Sequence, residues 1–275
     1  MATVPVIQGM QPRDVEARAG TPTLVVVPTY DEVGNMPTLV KALERVVDIT
    51  GGEVLVVDDG SPDGTGAIVS RLAVTRSWLH LVERDRPMGL GSAYRAGFRW
   101  ALDRGFARVG EMDADLSHDP VVIPWLLERL DEGADLAVGS RYVPGGGSEG
   151  WPLSRRLLSK GANRFARTLL RLSTHDVTSG FRIYSRRALE LLLEVGTHCD
   201  GYGFQVEGVY LVERAGGRVS EVPICFRDRL YGSSKMSPAV ATEAARQCLR
   251  MALRPVQVPM FSPEPTIVMP ERRRA

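Results

Sequence analysis

The segment "VGEMDADLSHDP", Val109 to Pro120, places Asp113, Asp115 and Asp119 within seven residues, directly after a short apolar run. Like charges at that spacing repel, and burying any of them is costly. A surface turn tolerates such residues, because aspartate favours turns and helix starts. The sharper alternative is a divalent cation. Asp113 and Asp115 form a D-x-D pair, and Mg²⁺ or Mn²⁺ takes oxygen ligands and often shares them with substrate phosphates. A second acidic segment, "DDGSPDG" (58–64), offers Asp58 and Asp59, whose carboxylates pair well with the N–H and O–H donors of a nucleotide base or ribose. Its opening resembles a calcium-binding EF-hand loop. The acid required at the twelfth loop position falls on Ser70, however, and a strand pattern precedes it, so that reading is rejected.

These segments need elements to position them. "TLVVV" (23–27), "EVLVV" (53–57), "LHLVE" (79–83), "RVGEM" (108–112) and "DLAVG" (135–139) are short β-branched or apolar runs. The first two are continuous, as expected of strands buried on both faces. Helical spacing fills 36–48, 65–73, 91–104 and 120–131 between them. Alternation of this kind implies an α/β fold, a mostly parallel sheet with helices on both sides. Such sheets bind ligands at the carboxyl ends of their strands. The post-strand segments "PTYDE" (28–32), "DDGSPDG", "MDADLSHD" (112–119) and "GSRY" (139–142) then share one edge. "GLGSAYRAG" (89–97) has the wrong spacing and the wrong strand for a dinucleotide fingerprint, and its glycines fit close approach of a helix start.

Composition excludes several classes. The formal net charge of +1 provides no global basic field, so nucleic acid is not an expected partner. Cys199, Cys225 and Cys248 are too dispersed for a zinc site or a disulfide framework. No apolar run approaches the ~18 residues of a membrane span. Residues 1–22 and the Pro-rich 254–275 read as disordered lead and tail around one domain, 23–253.

Seven segments together, "VVVPTYDEVGNMPTLV", "VLVVDDGSPDGTG", "GLGSAYRAGF", "EMDADLSHDP", "GSRYVPGG", "SGFRIYSRRAL" and "EVPICFRDRLYGSSKM", resemble the family 2 glycosyltransferases of the GT-A fold. Within that family they are most similar to dolichol- or polyprenol-phosphate mannose synthases of the bacterial soluble type, from about Leu24 to Leu253. The resemblance implies a GDP-mannose donor, a polyprenyl monophosphate acceptor, Mg²⁺ or Mn²⁺, and inversion at the anomeric carbon. It implies that Pro28, Tyr30 and Glu32 hold the guanosine and that Asp59 contacts base or ribose. Asp113, the Ala114 backbone and Asp115 would hold the metal. Arg141, Arg229 and Lys235 would meet donor or acceptor phosphates, with Arg156 and Arg182 added on the acceptor side. Two positions depart from the pattern: Asp31 stands where Asn is usual, and Ser117 where several relatives have Gln.

The acceptor chemistry fits independently. A hydroxyl acceptor needs a general base, whereas a phosphate monoester is already an anion at neutral pH and needs only positive charge to place it. The second half supplies that charge through "SRR" (154–156), Arg182, Arg227, Arg229 and Lys235. "WPLSRRLLSKGANRFARTLLRLS" (151–173) carries Arg155, Arg156, Lys160, Arg164, Arg167 and Arg171 and no acid, with leucines at helical spacing. A basic amphipathic helix with a terminal Trp151 suits an anionic membrane surface, and so a peripheral place on the inner face of the cell membrane. A helix packed on its own core, with a solvated basic face, remains the alternative. The Gly145–Gly147 run is a candidate hinge, and Asp176 is a candidate to orient either Arg182 or the acceptor loop. Rival functions are a UDP-glucose or UDP-N-acetylglucosamine transferase, a nucleotidyltransferase lacking its usual glycine- and lysine-rich phosphate loop, and a non-enzymatic nucleotide binder.

Overall fold

The computed structural model describes residues 21–197, 199–201, 203–228 and 238–262. The expected strands and helices are present: β1 Thr23–Thr29, α1 Met36–Thr50, β2 Glu53–Asp58, α2 Thr65–Ala73, β3 Leu79–Glu83, α3 Leu90–Asp103, β4 Arg108–Glu111, α4 Ile123–Asp131 and β5 Leu136–Ser140. Then come β6 Gly147–Ser148, α5 Leu153–Leu170, β7 Arg182–Ser185, α6 Arg186–Val195, α7 Gly203–Arg214, β8 Val219–Pro223, β9 Cys225–Phe226 and α8 Pro238–Leu253. The main sheet has the order β3-β2-β1-β4-β7-β5-β8. It is parallel except at β7, which runs antiparallel to both β4 and β5.

The continuous apolar runs are explained by burial on both faces. In β1, Leu24 and Val26 join one core layer with Tyr94, Phe98 and Phe204, while Val25 and Val27 join the other with Leu39, Leu43 and Leu126. Strand β2 divides in the same way, Leu55 and Val57 against Val54 and Val56. Each fully buried aliphatic side chain stabilises the fold by roughly 1.5–3 kcal/mol, so this sheet is a rigid base for the loops at its carboxyl edge.

Three local features differ from the sequence pattern. The 120–131 helix begins with a 3-10 turn, Pro120–Val122, capped by Asp119, whose Oδ1 accepts from Val121 N at 3.2 Å. Strand β7 carries an arginine at its start and so has no apolar signature. The C-terminal segment expected as tail is docked as far as residue 262: Phe261 N donates to Ala215 O at 2.8 Å, and Val258 and Phe261 pack on the core. Pro22, expected in the lead, accepts backbone bonds from Ala107 and Arg108. Residues 1–20 and 263–275 lie outside the described residues. Among those described, no helix is long and apolar enough to cross a membrane.

Candidate active site

The loops after β1 and β2 are joined by short side chains. Asp58 is buried and accepts from Thr29 Oγ1 (2.8 Å), Ser61 N (2.9 Å) and Ser61 Oγ (2.6 Å). Ser61 Oγ in turn accepts from Asp31 N, and Asp63 Oδ2 from Val33 N, each at 3.0 Å. Asp31 has φ +57°, a left-handed conformation that Asn and Asp tolerate, which explains why either can stand there. Glu32 N donates to Thr65 Oγ1 at 3.0 Å, and Glu32 Oε2 accepts from Asn35 Nδ2 at 2.6 Å. Pro28, Tyr30 and Glu32 are half-buried along this edge. Asp59 is already engaged, by Arg84 Nε at 2.5 Å and Met88 N at 3.1 Å. That uses two of its roughly four acceptor positions.

Strand β4 ends at Glu111, and the chain then leaves the extended path. Leu116 has φ +63°, and Ser117 N donates to Asp115 Oδ1 at 3.1 Å. The Asp113 side chain is 37% exposed, while Ala114 and Asp115 are buried. A Cβ at Gly180 would sit 3.3 Å from Asp113 Oδ1, close enough that the carboxylate would have to give by a few tenths of an ångström, and 3.5 Å from Gln205 Nε2, so the segment before β7 passes close to the Asp113 side chain. Two carboxylates on one loop at the sheet's ligand-binding edge suit a hard cation whose remaining ligands come from diphosphate and water. Among the described residues no closed set of three or more acidic, His or Cys ligands forms. His118 is buried behind the pair, its Nδ1 accepting from Asp113 N at 3.4 Å. Burial pushes its imidazole down to about 4, so the ring is neutral at physiological pH.

On the β5 side, Arg141 makes a bidentate pair with Asp176: Nε to Oδ2 at 2.7 Å and Nη2 to Oδ1 at 2.8 Å. Its Nη2 also donates to Thr178 Oγ1 at 2.8 Å. Burial would raise the Asp176 carboxyl, but the Arg141 charge and its hydrogen bonds outweigh that and hold it below the usual range. Asp176 therefore orients Arg141, not the Arg182 named as one candidate. The acceptor role expected of Arg182 also fails on geometry. Its side chain is fully buried, donates to Ser179 O and, at 2.8 Å, to Gln205 O, and lies 3.7 Å from Glu111. Arg156 is better placed: with Arg141, Tyr142, Trp151 and Lys160 it lines a cavity of about 140 Å³. Arg229 and Lys235 lie outside the described residues. The glycine run is a tight turn, because a Cβ at Gly146 would sit 2.5 Å from Ser140 O.

Helix α5 buries only Asn163, Ala166 and Leu170, leaving Leu153 (71%), Leu157 (61%) and Leu158 (68%) in solvent beside the basic residues. The sequence reading missed Arg84, which stands 25 residues from its partner Asp59. It also missed Phe226, whose ring meets both His118 and Trp151. His118 itself lies in the "LSHDP" run after the D-x-D pair, where an acceptor side chain close to a ligand loop was a visible signal.

Comparison with known proteins agrees with this arrangement. Residues 24–193 match the description "Glycosyl transferase family 2". The chain is 46% identical over 223 residues to polyprenol monophosphomannose synthase of Mycolicibacterium smegmatis, covering 81% of this chain and 83% of that protein. It is 42% identical over 230 residues to undecaprenyl-phosphate mannosyltransferase of Micrococcus luteus, covering 84% and 93%. Among solved structures, glucosyl-3-phosphoglycerate synthase from Mycobacterium tuberculosis with phosphoglyceric acid superposes with a TM-score of 0.66 at 22% identity, over 86% of this chain and 81% of that one. The same enzyme with Mn²⁺, UDP-glucose and phosphoglyceric acid gives 0.65 at 21%, with the same coverage. The sheet with its single reversed strand has the GT-A-like architecture of these neighbours, and by matched length and identity the chain belongs to glycosyl transferase family 2.

Proposed function

We propose that the protein transfers mannose from GDP-mannose to a polyprenyl monophosphate, with Mg²⁺ or Mn²⁺ as cofactor and inversion at the anomeric carbon. The observation that carries this reading is the pairing, on one sheet edge, of the D-x-D loop with a cavity lined by Arg141, Arg156 and Lys160. The mannosyl-acceptor names of the two relatives support the sugar and the acceptor class, and the Mn²⁺ and UDP-glucose of the structural neighbour support a metal-bound nucleotide-sugar donor. Pro28, Tyr30, Glu32 and Asp59 would seat the nucleoside, and Asp113 and Asp115 would hold the cation on the diphosphate. The cation supplies positive charge where leaving-group charge develops, which favours the transition state over the ground state.

Arg141, fixed by Asp176, presents a guanidinium between the two ends of the site. Arg156 and Lys160 hold the acceptor phosphate, which attacks without losing a proton to the enzyme. Arginine forks suit phosphate oxygens, and the phosphate needs no base because it is ionised. Exposed leucines and cations on α5 rest on an anionic membrane surface at the cytoplasmic face, each surface-proximal cation contributing ~1 kcal/mol. A donor panel tests the assignment: GDP-mannose, UDP-glucose and UDP-N-acetylglucosamine with a short polyprenyl phosphate and Mg²⁺, in the presence and absence of anionic vesicles. Lipid-linked mannose from GDP-mannose is the expected product. Transfer only from a uridine nucleotide would refute the donor, and failure to bind the vesicles would refute the surface contact.

A further inference from the structure

Two aromatic rings pack against the His118 ring. Phe181 stacks on it at 5.1 Å and 14°, and Phe226 meets it edge-on at 5.3 Å and 80°. Phe226 also meets Trp151 at 5.0 Å, and the Arg141 guanidinium lies 5.6 Å from Phe226 and 5.8 Å from Trp151. The backbone makes the same connection, since Arg227 N donates to Ser117 O at 3.2 Å. The β6–β9 ribbon, which borders the anion cavity, is thereby seated on the D-x-D loop.

A neutral imidazole has one donor and one acceptor nitrogen. Because Nδ1 accepts from the Asp113 amide, it holds the backbone of a residue whose side chain is partly open to solvent. We propose that His118 is a positioning residue that holds the Asp113 side of the cation loop and, clamped by Phe226, keeps that loop in register with the anion cavity. Groups that orient metal ligands change metal affinity by about 10–100-fold when removed. A residue that merely fills space changes stability alone.

This inference rests on the cation reading above, and its test separates the two. Mn²⁺ binding in the presence of GDP is measured by calorimetry, with thermal midpoints recorded for each variant. Wild type should bind Mn²⁺ and Asp115→Ala should not; absence of metal-dependent binding in wild type would remove the cation reading itself. His118→Phe keeps the stack but cannot accept from Asp113 N. It should weaken Mn²⁺ binding by about 10–100-fold while leaving metal-free GDP binding intact. His118→Asn, whose Oδ1 can accept in place of Nδ1, should recover most of that affinity. Wild-type Mn²⁺ affinity in His118→Phe, or equal losses in the Phe and Asn variants, would overturn the proposal. If either variant fails to fold, Phe226→Leu carries the test, because Phe226 is only half-buried. It should weaken Mn²⁺ several-fold, and an unchanged affinity would overturn the clamp.

Discussion

At the donor end, the groups that shape the site are close in sequence or sit on adjacent parallel strands. Asp58 bonds Ser61 three residues on, Asp63 bonds Thr65 two residues on, and Thr29 reaches Asp58 across the β1–β2 pair. At the acceptor end the decisive contacts span distant segments: Arg141 to Asp176 across 35 residues, and Thr174 to Glu213 across 39. The donor end is a set of turns stitched by hydroxyls and carboxylates. The acceptor end is held by an ion pair and by hydrogen bonds to a carboxylate that join segments far apart in sequence. Local stitching needs only the right turn residues, whereas contacts between distant segments need the whole fold in place before they contribute.

That contrast can be broken by substitution. The largest effect on transfer is expected from Asp115→Ala, about 10³-fold or more, since a lost metal ligand removes several kcal/mol of transition-state stabilisation. The thermal midpoint should stay within a few degrees of wild type, because the loop is shaped locally. Near wild-type turnover at saturating Mn²⁺ would sink the donor-end assignment.

At the acceptor end the same class of change should damage the fold instead. Asp176→Ala leaves the buried Arg141 guanidinium unpaired, and breaking such a pair costs roughly 3–5 kcal/mol, read as a drop in the urea unfolding midpoint. Asp176→Asn keeps an acceptor for Arg141 and should lose less. If Asp176→Ala unfolds at the wild-type urea concentration, the ion pair is not what holds this end together.

The smallest effect is expected at the seam between the halves. Glu111 and Arg182 are both fully buried there, and burial raises the Glu111 carboxyl to about 7 despite Arg182. A raised folded-state value means that stability is fully present below the unfolded value of about 4.5 and is lost as pH rises through about 7. Glu111→Gln should flatten that fall, gaining stability at pH 8 relative to pH 5. Parallel pH–stability curves for variant and wild type would contradict the assignment.

The same contrast explains what was legible in the sequence. The strands of the first half announced themselves through apolar runs, and "DDGSPDG" and "DADLSHD" through acids placed at strand ends. Ser61 lies three residues from Asp58 and Ser117 two from Asp115, so type and spacing carried that part of the geometry, whereas Thr29 and Arg84 reach Asp58 and Asp59 from neighbouring strand ends. Strand β7 was hidden because "RIYS" begins with a buried arginine, and nothing local reveals that Arg182 faces Glu111 rather than solvent. The Arg141–Asp176 pair was missed for the same reason: Asp176 had two arginines to choose from, and only the tertiary fold decides between them.

The central claim is that a cation-anchored nucleotide sugar meets an acceptor already ionised as a phosphate. The most direct test is the pH dependence of kcat with saturating metal, GDP-mannose and short polyprenyl phosphate, for wild type and Asp176→Asn. The account predicts a rise through the phosphate's second ionisation, near pH ~6, then a plateau, with the same profile in the variant. A wild-type rate that stays flat through pH ~6 and titrates instead with an enzyme group would contradict it and point to a hydroxyl acceptor served by a general base.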